Sequence, residues 1–215
     1  TAGRGGQGLV FKARQPRTGR MVAIKRLAAG RFSTPDMRAR FQREVEAVAA
    51  LDHPHIVTVY GSEELHGEPV LVMRWIDGVP FDRWARPIEG VHRPVNEVLT
   101  AFVKICDAVA HAHLRGIIHR DLKPSNVLVD AANEPHVLDF GLARRDDDSS
   151  DCPTLTLSGA VLGTPVYSPP EQLRGDVRKV DARSDVYSLG AMLYRALTGS
   201  TPVDSGLSHF AMAER

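Results

Sequence analysis

The sequence predicts an α+β fold of two lobes: a strand-rich N-terminal lobe with one helix, then a mainly helical C-terminal lobe. Through residues 1–73 apolar residues alternate with polar ones or form short runs, as in strands. Beyond the turn signal at Asp77–Gly78 they recur at helical spacing. A length of 215 residues suits one large domain or two small lobes. We therefore assign residues 1–73 to the N-terminal lobe, 74–78 to a hinge and 79–215 to the C-terminal lobe.

The N-terminal lobe is predicted to contain two strand pairs and one helix. Residues 9–27 form two strands around a turn at "PRTG", where proline and glycine favour chain reversal. Residues 37–51 form the helix, because Phe41, Val45 and Val48 recur at helical spacing. The stretches "HIVTVYG" and "EPVLVMRWI" predict the second strand pair.

The C-terminal lobe is predicted to contain two long helices on either side of a loop-rich region. Residues 95–115 form the first helix, which ends at Gly116, and the second extends from Ser184 to Thr198 before Gly199. The apolar positions are Val98, Leu99, Phe102, Ile105, Val109 and Leu114 in the first helix, and Val186, Leu189, Leu193 and Leu197 on one face of the second. Between the helices, "RRDDDSSDCPTLTLSG" is too polar to pack by itself.

Composition narrows the choice of partners and compartment. A net charge of +1 gives no global electrostatic reason to expect a nucleic acid or an anionic membrane surface as partner. Two cysteines suit a reducing compartment, and there is no run of eighteen apolar residues and no signal peptide. The cytoplasm is the default location, although a membrane anchor elsewhere in a full-length protein would leave no trace in these residues.

The glycine-rich N-terminus, "GRGGQGLV", allows the backbone to approach a phosphate group closely. Gly3, Gly5 and Gly8 carry no Cβ atom that would intervene. Taken alone, such a pattern is more often a simple turn. A dinucleotide-binding fold needs the pattern after a strand and at the start of a helix, whereas here it precedes a strand. The dinucleotide hypothesis is therefore excluded.

The motif "VAIK" places Lys25 at the end of a predicted strand. A lone lysine in such a position is usually solvated. If Lys25 is buried, Glu44 on the following helix can offset its desolvation and hold the ammonium group against phosphate oxygens. The alternative is that Glu44 is simply a residue of the polar helix face.

The stretch "IIHRDLKPSNVLVDAANEPHVLDFGLA" combines polar side chains with short apolar strands. Asn126 and Asp139 offer the hard oxygen ligands that Mg²⁺ prefers, with nucleotide phosphates supplying further contacts. Asp121 can orient or deprotonate an attacking hydroxyl group, while Lys123 stabilises charge on a moving phosphoryl group. A single such aspartate would more often be a turn or helix cap. The four residues in this order indicate a metal–phosphate site.

Five motifs together resemble the eukaryotic-like protein kinases. "GRGGQGLV", "VAIK", "HRDLKPSN", "DFG" and "GTPVYSPPE" follow one another in the order of that family. The lysine of "HRDLKPSN" and the threonine of "GTPVY" are similar to the serine/threonine branch, and "SDVYSLGAMLYRALTG" and "PPEQLRG" resemble its bacterial members. The resemblance implies a bilobal protein-kinase-like fold, ATP with Mg²⁺ or Mn²⁺, and phosphoryl transfer to Ser/Thr hydroxyl groups of proteins.

The resemblance also implies a role for each matching residue. Lys25, held by Glu44, would contact the ATP phosphates; Asp121 would be the catalytic base and Lys123 a phosphate contact. The implied metal ligands are Asn126 and Asp139. The implied nucleotide-binding residues are Gly3, Gly5 and Gly8 over the phosphates, Val10, Ala23 and Leu128 around the adenine, Met73 as gatekeeper and Arg74 to Ile76 as the hinge. His119, Phe140, Val48 and Val59 would form a hydrophobic column, and Asp185 would anchor the catalytic loop.

Regulation by phosphorylation is a further implication of the resemblance. Arg120 would bind a phosphate group in the activation segment, Asp139 to Glu171, because a phosphoryl group can order a polar loop against arginine. Thr154 and Thr156 are the preferred acceptors, whereas Thr164 is expected to hydrogen-bond the catalytic loop. Phosphorylation of one copy by another would call for a homodimer.

The sequence departs from the family pattern at both ends. It begins at the glycine loop and ends soon after the anchoring helix, so the C-terminal lobe is expected to be incomplete, as in a fragment or a natural truncation. One alternative is therefore a catalytically impaired, kinase-like scaffold that binds nucleotide. A small-molecule phosphotransferase is disfavoured by "GTPVYSPPEQ", which in protein kinases forms the platform for a peptide hydroxyl group. The pairs in "DHPHIV" and "AHAHLRG" are expected to be core or capping histidines rather than metal ligands.

Overall fold

A computed structural model gives the fold of most of the chain. It describes residues 3–5, 8–16, 18–27, 34–88, 90–140, 165–176 and 179–203. Within these ranges, no helix has both the length and the apolar character needed to cross a lipid bilayer.

The N-terminal lobe is built on a five-stranded antiparallel sheet with the strand order β1-β2-β3-β5-β4. The strands are β1 (Gly3–Gly5), β2 (Gly8–Arg14), β3 (Met21–Leu27), β4 (Val59–Leu65) and β5 (Glu68–Arg74). The two strands predicted within residues 9–27 are β2 and β3, and the expected turn joins them. Alternation of apolar and polar residues thus located this hairpin correctly.

One helix, α1 (Pro35–Ala49), packs against β4. It begins at Thr34, whose side chain accepts a hydrogen bond from the Met37 backbone N–H, and proline occupies its first turn, where no intrahelical donor is needed. Phe41, Val45 and Val48 are buried, as their spacing predicts. This helix carries Glu44 close to the sheet.

The segment between α1 and β4 is bonded to the C-terminal lobe. "HIVTVYG" predicted a strand from residue 55, but β4 begins at Val59. The reason is that the backbone upstream pairs elsewhere: the Val57 N–H donates to Val137 O at 2.9 Å, and the Val137 N–H donates to His55 O at 2.8 Å. Residues 55–57 therefore tie the two lobes together.

A small sheet of β6 (Gly78–Pro80), β7 (Val127–Asp130) and β8 (Pro135–Val137) lies where the hinge enters the C-terminal lobe. Gly78 pairs with Asp130 on β7. A Cβ atom at Gly78 would lie 2.6 Å from the Val129 carbonyl oxygen, so only glycine permits this close approach. These short strands thus join the residues after the hinge to the strand that directly follows Asn126.

The C-terminal lobe contains α2 (Phe81–Ala85), α3 (Val95–His113), α4 (Pro170–Leu173) and α5 (Ala182–Thr198). Gly116 and Gly199 follow α3 and α5 with φ of 73° and 80°, in the left-handed region that glycine tolerates. Leu99 and Leu114, two apolar positions of the first predicted helix, are exposed. The remaining apolar positions of the first predicted helix are buried in a core shared by both lobes.

The buried face of α5 differs from the predicted one. Val186 and Leu197 are exposed, and Ser184, Asp185 and Ser188 are buried instead. The polar side chains can face inward because they are hydrogen-bonded: for example, the Ser188 hydroxyl donates to Tyr167 O at 2.8 Å. Apolar spacing alone does not reveal such satisfied polar positions.

Candidate active site

Lys25 reaches the site from the N-terminal lobe. Its side chain is buried, with only 3% of the residue exposed, and its Nζ lies 2.8 Å from Oδ2 of Asp139. A buried ammonium group needs a charged or strongly polar partner, because desolvation without one is costly. The Lys25–Asp139 pair therefore joins strand β3 to the segment that follows β8.

Asp139 is held in an unusual backbone conformation, with φ of 62°. A non-glycine residue in the left-handed region is strained and persists only where its surroundings fix it. The preceding Leu138 N–H donates to the Asn126 carbonyl at 2.9 Å. This bond places Asp139 beside the turn that carries Asn126.

Asp121, Lys123 and Asn126 form one hydrogen-bonded group. The Lys123 ammonium group donates to Asp121 Oδ2 at 2.7 Å, and the Asn126 side-chain amide donates to the same oxygen at 3.1 Å and to the Asp121 carbonyl at 2.7 Å. Asp121 remains partly exposed, with 28% of its side chain accessible. A carboxylate that is oriented yet accessible is suited to meet a substrate hydroxyl group.

The donor atoms at this position fit a magnesium ion. Oδ1 of Asp139 is buried and finds no hydrogen-bond partner among the described residues, which leaves an oxygen for a cation. The Asn126 amide nitrogen donates to Asp121, so Oδ1 is the atom of that side chain able to coordinate. Within the described ranges, no three His, Cys, Asp or Glu side chains are grouped to hold a metal. Substrate oxygens would therefore complete the coordination.

The catalytic loop is anchored by Asp185 of α5. Its carboxylate, 1% exposed, accepts hydrogen bonds from the backbone N–H groups of His119 at 2.8 Å and Arg120 at 2.9 Å. Arg120 has φ of 68°, so these bonds hold a strained conformation directly before Asp121. His113 Nε2 lies 2.7 Å from Asp185 Oδ2. This contact was not predicted, because His113 and Asp185 are 72 positions apart in the sequence.

Glu44 and Lys25 each make an ion pair with another residue. Lys25 Nζ lies 2.8 Å from Asp139 Oδ2, and Arg40 Nε lies 3.6 Å from Glu44 Oε1. Arg40 stands four residues before Glu44 on the same helix, a spacing that brings side chains together. That Glu44 holds Lys25 stays a prediction.

The residues expected to surround a nucleotide come from β2, β3, β5, β7 and the hinge. Ala23 of β3 lies opposite Met73 of β5, and both are buried, as is Ile76. Val10 and Leu128 are partly buried against the same core. Arg74 at the end of β5 is exposed, and its N–H donates to Thr58 O at 2.9 Å.

The glycine motif forms the first hairpin. Gly3 pairs with Val10 and Gly5 with Gly8 across β1 and β2. This hairpin leads directly into the part of β2 that carries Val10.

The four residues expected to form a hydrophobic column are all buried. The His119 and Phe140 rings lie 4.9 Å apart, and Val48 and Val59 are buried in the same cluster. His119 Nε2 lies 2.7 Å from Leu138 O. His119 therefore connects the catalytic loop to the residue just before Asp139.

The regulatory sites are only partly within the described ranges. Thr154, Thr156 and Thr164 lie outside them. The Arg120 carbonyl accepts a hydrogen bond from the Gln172 side chain at 2.9 Å, and Glu171 accepts one from the Ser184 hydroxyl. Helix α4 is thus bonded both to the catalytic loop and to α5.

His53 and His55 lie at the junction between the lobes. His53 Nε2 lies 3.1 Å from Asp107 Oδ2, and His55 Nδ1 lies 3.1 Å from the Pro135 carbonyl. Burial lowers the pKa of His55, which favours its neutral form. These contacts agree with the expected structural role, since both imidazoles fasten the segment before β4 to the C-terminal lobe.

Comparisons with known proteins agree with this geometry. A family model described as "Protein kinase domain" matches residues 1–214. The chain is 44% identical over 204 residues to the serine/threonine-protein kinase PknB of Mycobacterium tuberculosis. It is 42% identical over 202 residues to the DNA damage-responsive serine/threonine-protein kinase RqkA of Deinococcus radiodurans. The chain spans only 32% and 29% of the lengths of these two relatives.

A solved structure gives the same result for the fold. The kinase domain of PknI from M. tuberculosis superposes with a TM-score of 0.73 at 30% sequence identity. The match covers 96% of this chain and 73% of that one.

Proposed function

The chain belongs to the protein kinase family, and from this premise we propose that the protein is an ATP-dependent serine/threonine kinase. It transfers the γ-phosphoryl group of ATP to Ser/Thr hydroxyl groups of proteins. The observation that carries the proposal is the convergence of Asp121, Lys123 and Asn126 with the Lys25–Asp139 pair through the Leu138–Asn126 backbone bond. A scaffold has no chemical need for all five side chains.

Asp121 and Lys123 act on the reacting groups. Asp121 accepts the proton of the substrate hydroxyl group or orients it for attack on the γ-phosphorus. The Lys123 ammonium group, 2.7 Å from Asp121, offers a positive charge for the oxygens of the phosphoryl group as it moves. Asp121 therefore acts on the hydroxyl group that accepts the phosphoryl group, and Lys123 acts on the phosphoryl group itself.

Lys25, Asn126 and Asp139 hold the nucleotide. Lys25 contacts phosphate oxygens, which requires it to share or leave its pairing with Asp139. Asn126 and Asp139 would hold Mg²⁺ or Mn²⁺, which neutralises phosphate charge when it is bound. Ala23, Met73 and Ile76 provide an apolar wall for the adenine, with Val10 and Leu128 on either side.

Activation by phosphorylation fits the same arrangement. We propose that phosphate on Thr154 or Thr156 is bound by Arg120, whose backbone is already fixed by Asp185 and Gln172. Transfer between two copies of the chain would supply this phosphate. We also propose that a bound nucleotide draws Lys25 away from Asp139. Glu44 then leaves Arg40 and pairs with Lys25.

The proposed organisation follows from these roles. Residues 1–73, 74–78 and 79–215 act as the nucleotide-covering lobe, the hinge and the catalytic lobe. Since the reaction consumes ATP, we place the domain in the cytoplasm. The rest of a longer protein would then provide the signal input, as the length of the relatives suggests.

The test is phosphate transfer from radiolabelled ATP, with Mg²⁺ or Mn²⁺, onto the protein itself and onto a basic protein substrate. We expect label on serine or threonine, lost in Asp139→Asn and retained in Asp52→Asn, a matched control at an exposed aspartate. If wild type folds and binds ATP but transfers no label, the nucleotide-binding scaffold is the correct function. Mapping of the label then tests Thr154 and Thr156.

A further inference from the structure

A cation–π contact joins the strand after the glycine hairpin to the hinge. The Lys12 ammonium nitrogen lies 4.7 Å from the centre of the Trp75 ring. Lys12 belongs to β2, and Trp75 is the first residue after β5. The contact therefore spans β3, which lies between these strands in the sheet.

The contact lies at the end of a row of side chains on the face of the sheet that carries Lys25. Val10 pairs with Lys25, and Lys12 pairs with Ala23. Residues directly opposite each other in an antiparallel pair project from the same face of the sheet, as do alternate residues of one strand. Lys12 thus shares its face with the phosphate-binding lysine and with the two residues, Val10 and Ala23, proposed to enclose adenine.

Trp75 depends on this contact for its polar interactions. Its indole Nε1 is buried and finds no acceptor among the described residues. A buried donor without a partner is unfavourable, so hydrogen bonding does not explain the position of the ring. The ring is held instead by apolar packing against the hydrophobic core and by the ammonium group of Lys12 over its face.

We propose that Lys12 and Trp75 are a positioning pair that sets nucleotide affinity. Their contact holds β2 against the hinge and so fixes, before binding, the spacing between Val10 and the hinge backbone across the adenine site. A site ordered in advance loses less conformational freedom when the nucleotide binds. Neither residue touches the reacting atoms, so the pair affects binding of ATP and not the chemical step. This inference rests on the proposed ATP site.

Four substitutions isolate the interaction. Lys12→Met removes the charge and keeps an unbranched chain, whereas Lys12→Arg keeps a cation that stacks on aromatic rings. Trp75→Leu removes the ring face. Trp75→Phe keeps a face but removes the unpartnered N–H. Arg20→Met is the matched control, because Arg20 makes a cation–π contact with Tyr60, 5.0 Å from its ring centre, away from this row.

The measurement is the Kd of the full-length protein for MgATP by calorimetry, together with kcat and KM for ATP. We expect Lys12→Met and Trp75→Leu each to raise Kd by about two- to fivefold, the size of one cation–π contact with an exposed lysine. The Kd of the double variant should be no higher than the higher Kd of the two single variants, because the two substitutions remove the same interaction. For Lys12→Met, kcat at saturating ATP should stay within about twofold of wild type.

The conservative variants and the free protein provide the remaining readouts. Lys12→Arg should restore binding to within about twofold of wild type, and Trp75→Phe should bind more tightly than Trp75→Leu. The indole ¹H–¹⁵N resonance of Trp75 should move in Lys12→Met but not in Arg20→Met. Thermal unfolding shows whether each variant is folded, and a folded Lys12→Met protein keeps the test valid if Trp75→Leu does not fold.

Three results would overturn the proposal. They are wild-type Kd in Lys12→Met, additive effects in the double variant, and a loss of kcat with an unchanged KM. If wild type itself bound no ATP, the proposed function would fail and this inference with it. Binding by wild type with no change in Lys12→Met would overturn the positioning pair alone.

Discussion

Asp185 shows how one buried side chain can fix the backbone next to a proposed catalytic residue, Asp121. Its carboxylate accepts the N–H groups of His119 and Arg120 and faces His113. The strained backbone of Arg120 is therefore compensated by charge-assisted hydrogen bonds. Asp121, the next residue, takes its direction from this arrangement.

We expect Asp185→Ala to lower the free energy of unfolding by about 3 kcal/mol or more, because two buried N–H groups lose their acceptor. Phosphate transfer should fall as well, since Arg120 can relax. Urea denaturation measures the first effect. Asp181→Ala, which removes an exposed helix cap of α5, should cost clearly less. Equal losses in the two variants would contradict the anchoring role.

The pKa of His55 predicts a pH dependence of stability. Burial lowers this pKa below its ordinary value of 6.5, so the unfolded chain binds a proton more readily than the folded one. The stability contributed by neutral His55 is therefore complete above that value and is lost as the pH falls below it. His55→Gln should reduce this loss.

Urea denaturation at about pH 7.5 and about pH 5.5 measures the effect as a difference in unfolding free energy. His66→Gln is the matched control, because His66 lies exposed in the turn between β4 and β5. The same pH dependence in wild type and His55→Gln would show that His55 is not its source.

At the scale of elements, the junction of β6 and β7 depends on one glycine. We expect Gly78→Ala to destabilise the protein by about 1–3 kcal/mol, since the new Cβ would lie 2.6 Å from the Val129 carbonyl. Gly190→Ala, in α5, meets no atom within 4 Å and should stabilise by up to about 1 kcal/mol through helix propensity. Thermal denaturation distinguishes the two, and destabilisation by both would contradict the packing argument.

Periodicity predicted the elements better than their ends or faces. It located β2, β3, α1 and α3, because local apolar spacing determines which side of an element is buried. It placed the start of β4 too early, because the backbone of residues 55–57 is hydrogen-bonded to Val137. His55 also contacts Pro135, which is 80 positions away in the sequence. It also misjudged α5, where hydrogen bonds to distant residues bring serine and aspartate inside.

At the scale of the whole molecule, the site exists only where the two lobes meet. Lys25 comes from β3 of one lobe and Asp139 from the segment after β8 of the other, yet their charged groups lie 2.8 Å apart. Residues 55–57 and the histidine junction hold the lobes in this relation. A site divided in this way can bind a nucleotide between its halves.

The sequence predicted the family, the fold class and the candidate residues, because the order of five motifs specifies them together. It predicted Glu44 as the partner of Lys25 and did not predict the 2.8 Å ion pair between Lys25 and Asp139. It also gave no sign of the His113–Asp185 contact. Such choices depend on distances between residues far apart in the chain.

The most direct test of the central claim is phosphate transfer by Asp121→Asn at saturating ATP, with ATP binding measured in parallel. If Asp121 acts on the substrate hydroxyl group, the variant should bind ATP within about twofold of wild type and transfer phosphate at least about 100-fold more slowly. Transfer at the wild-type rate, or a wild type that binds ATP and transfers nothing, would contradict the account.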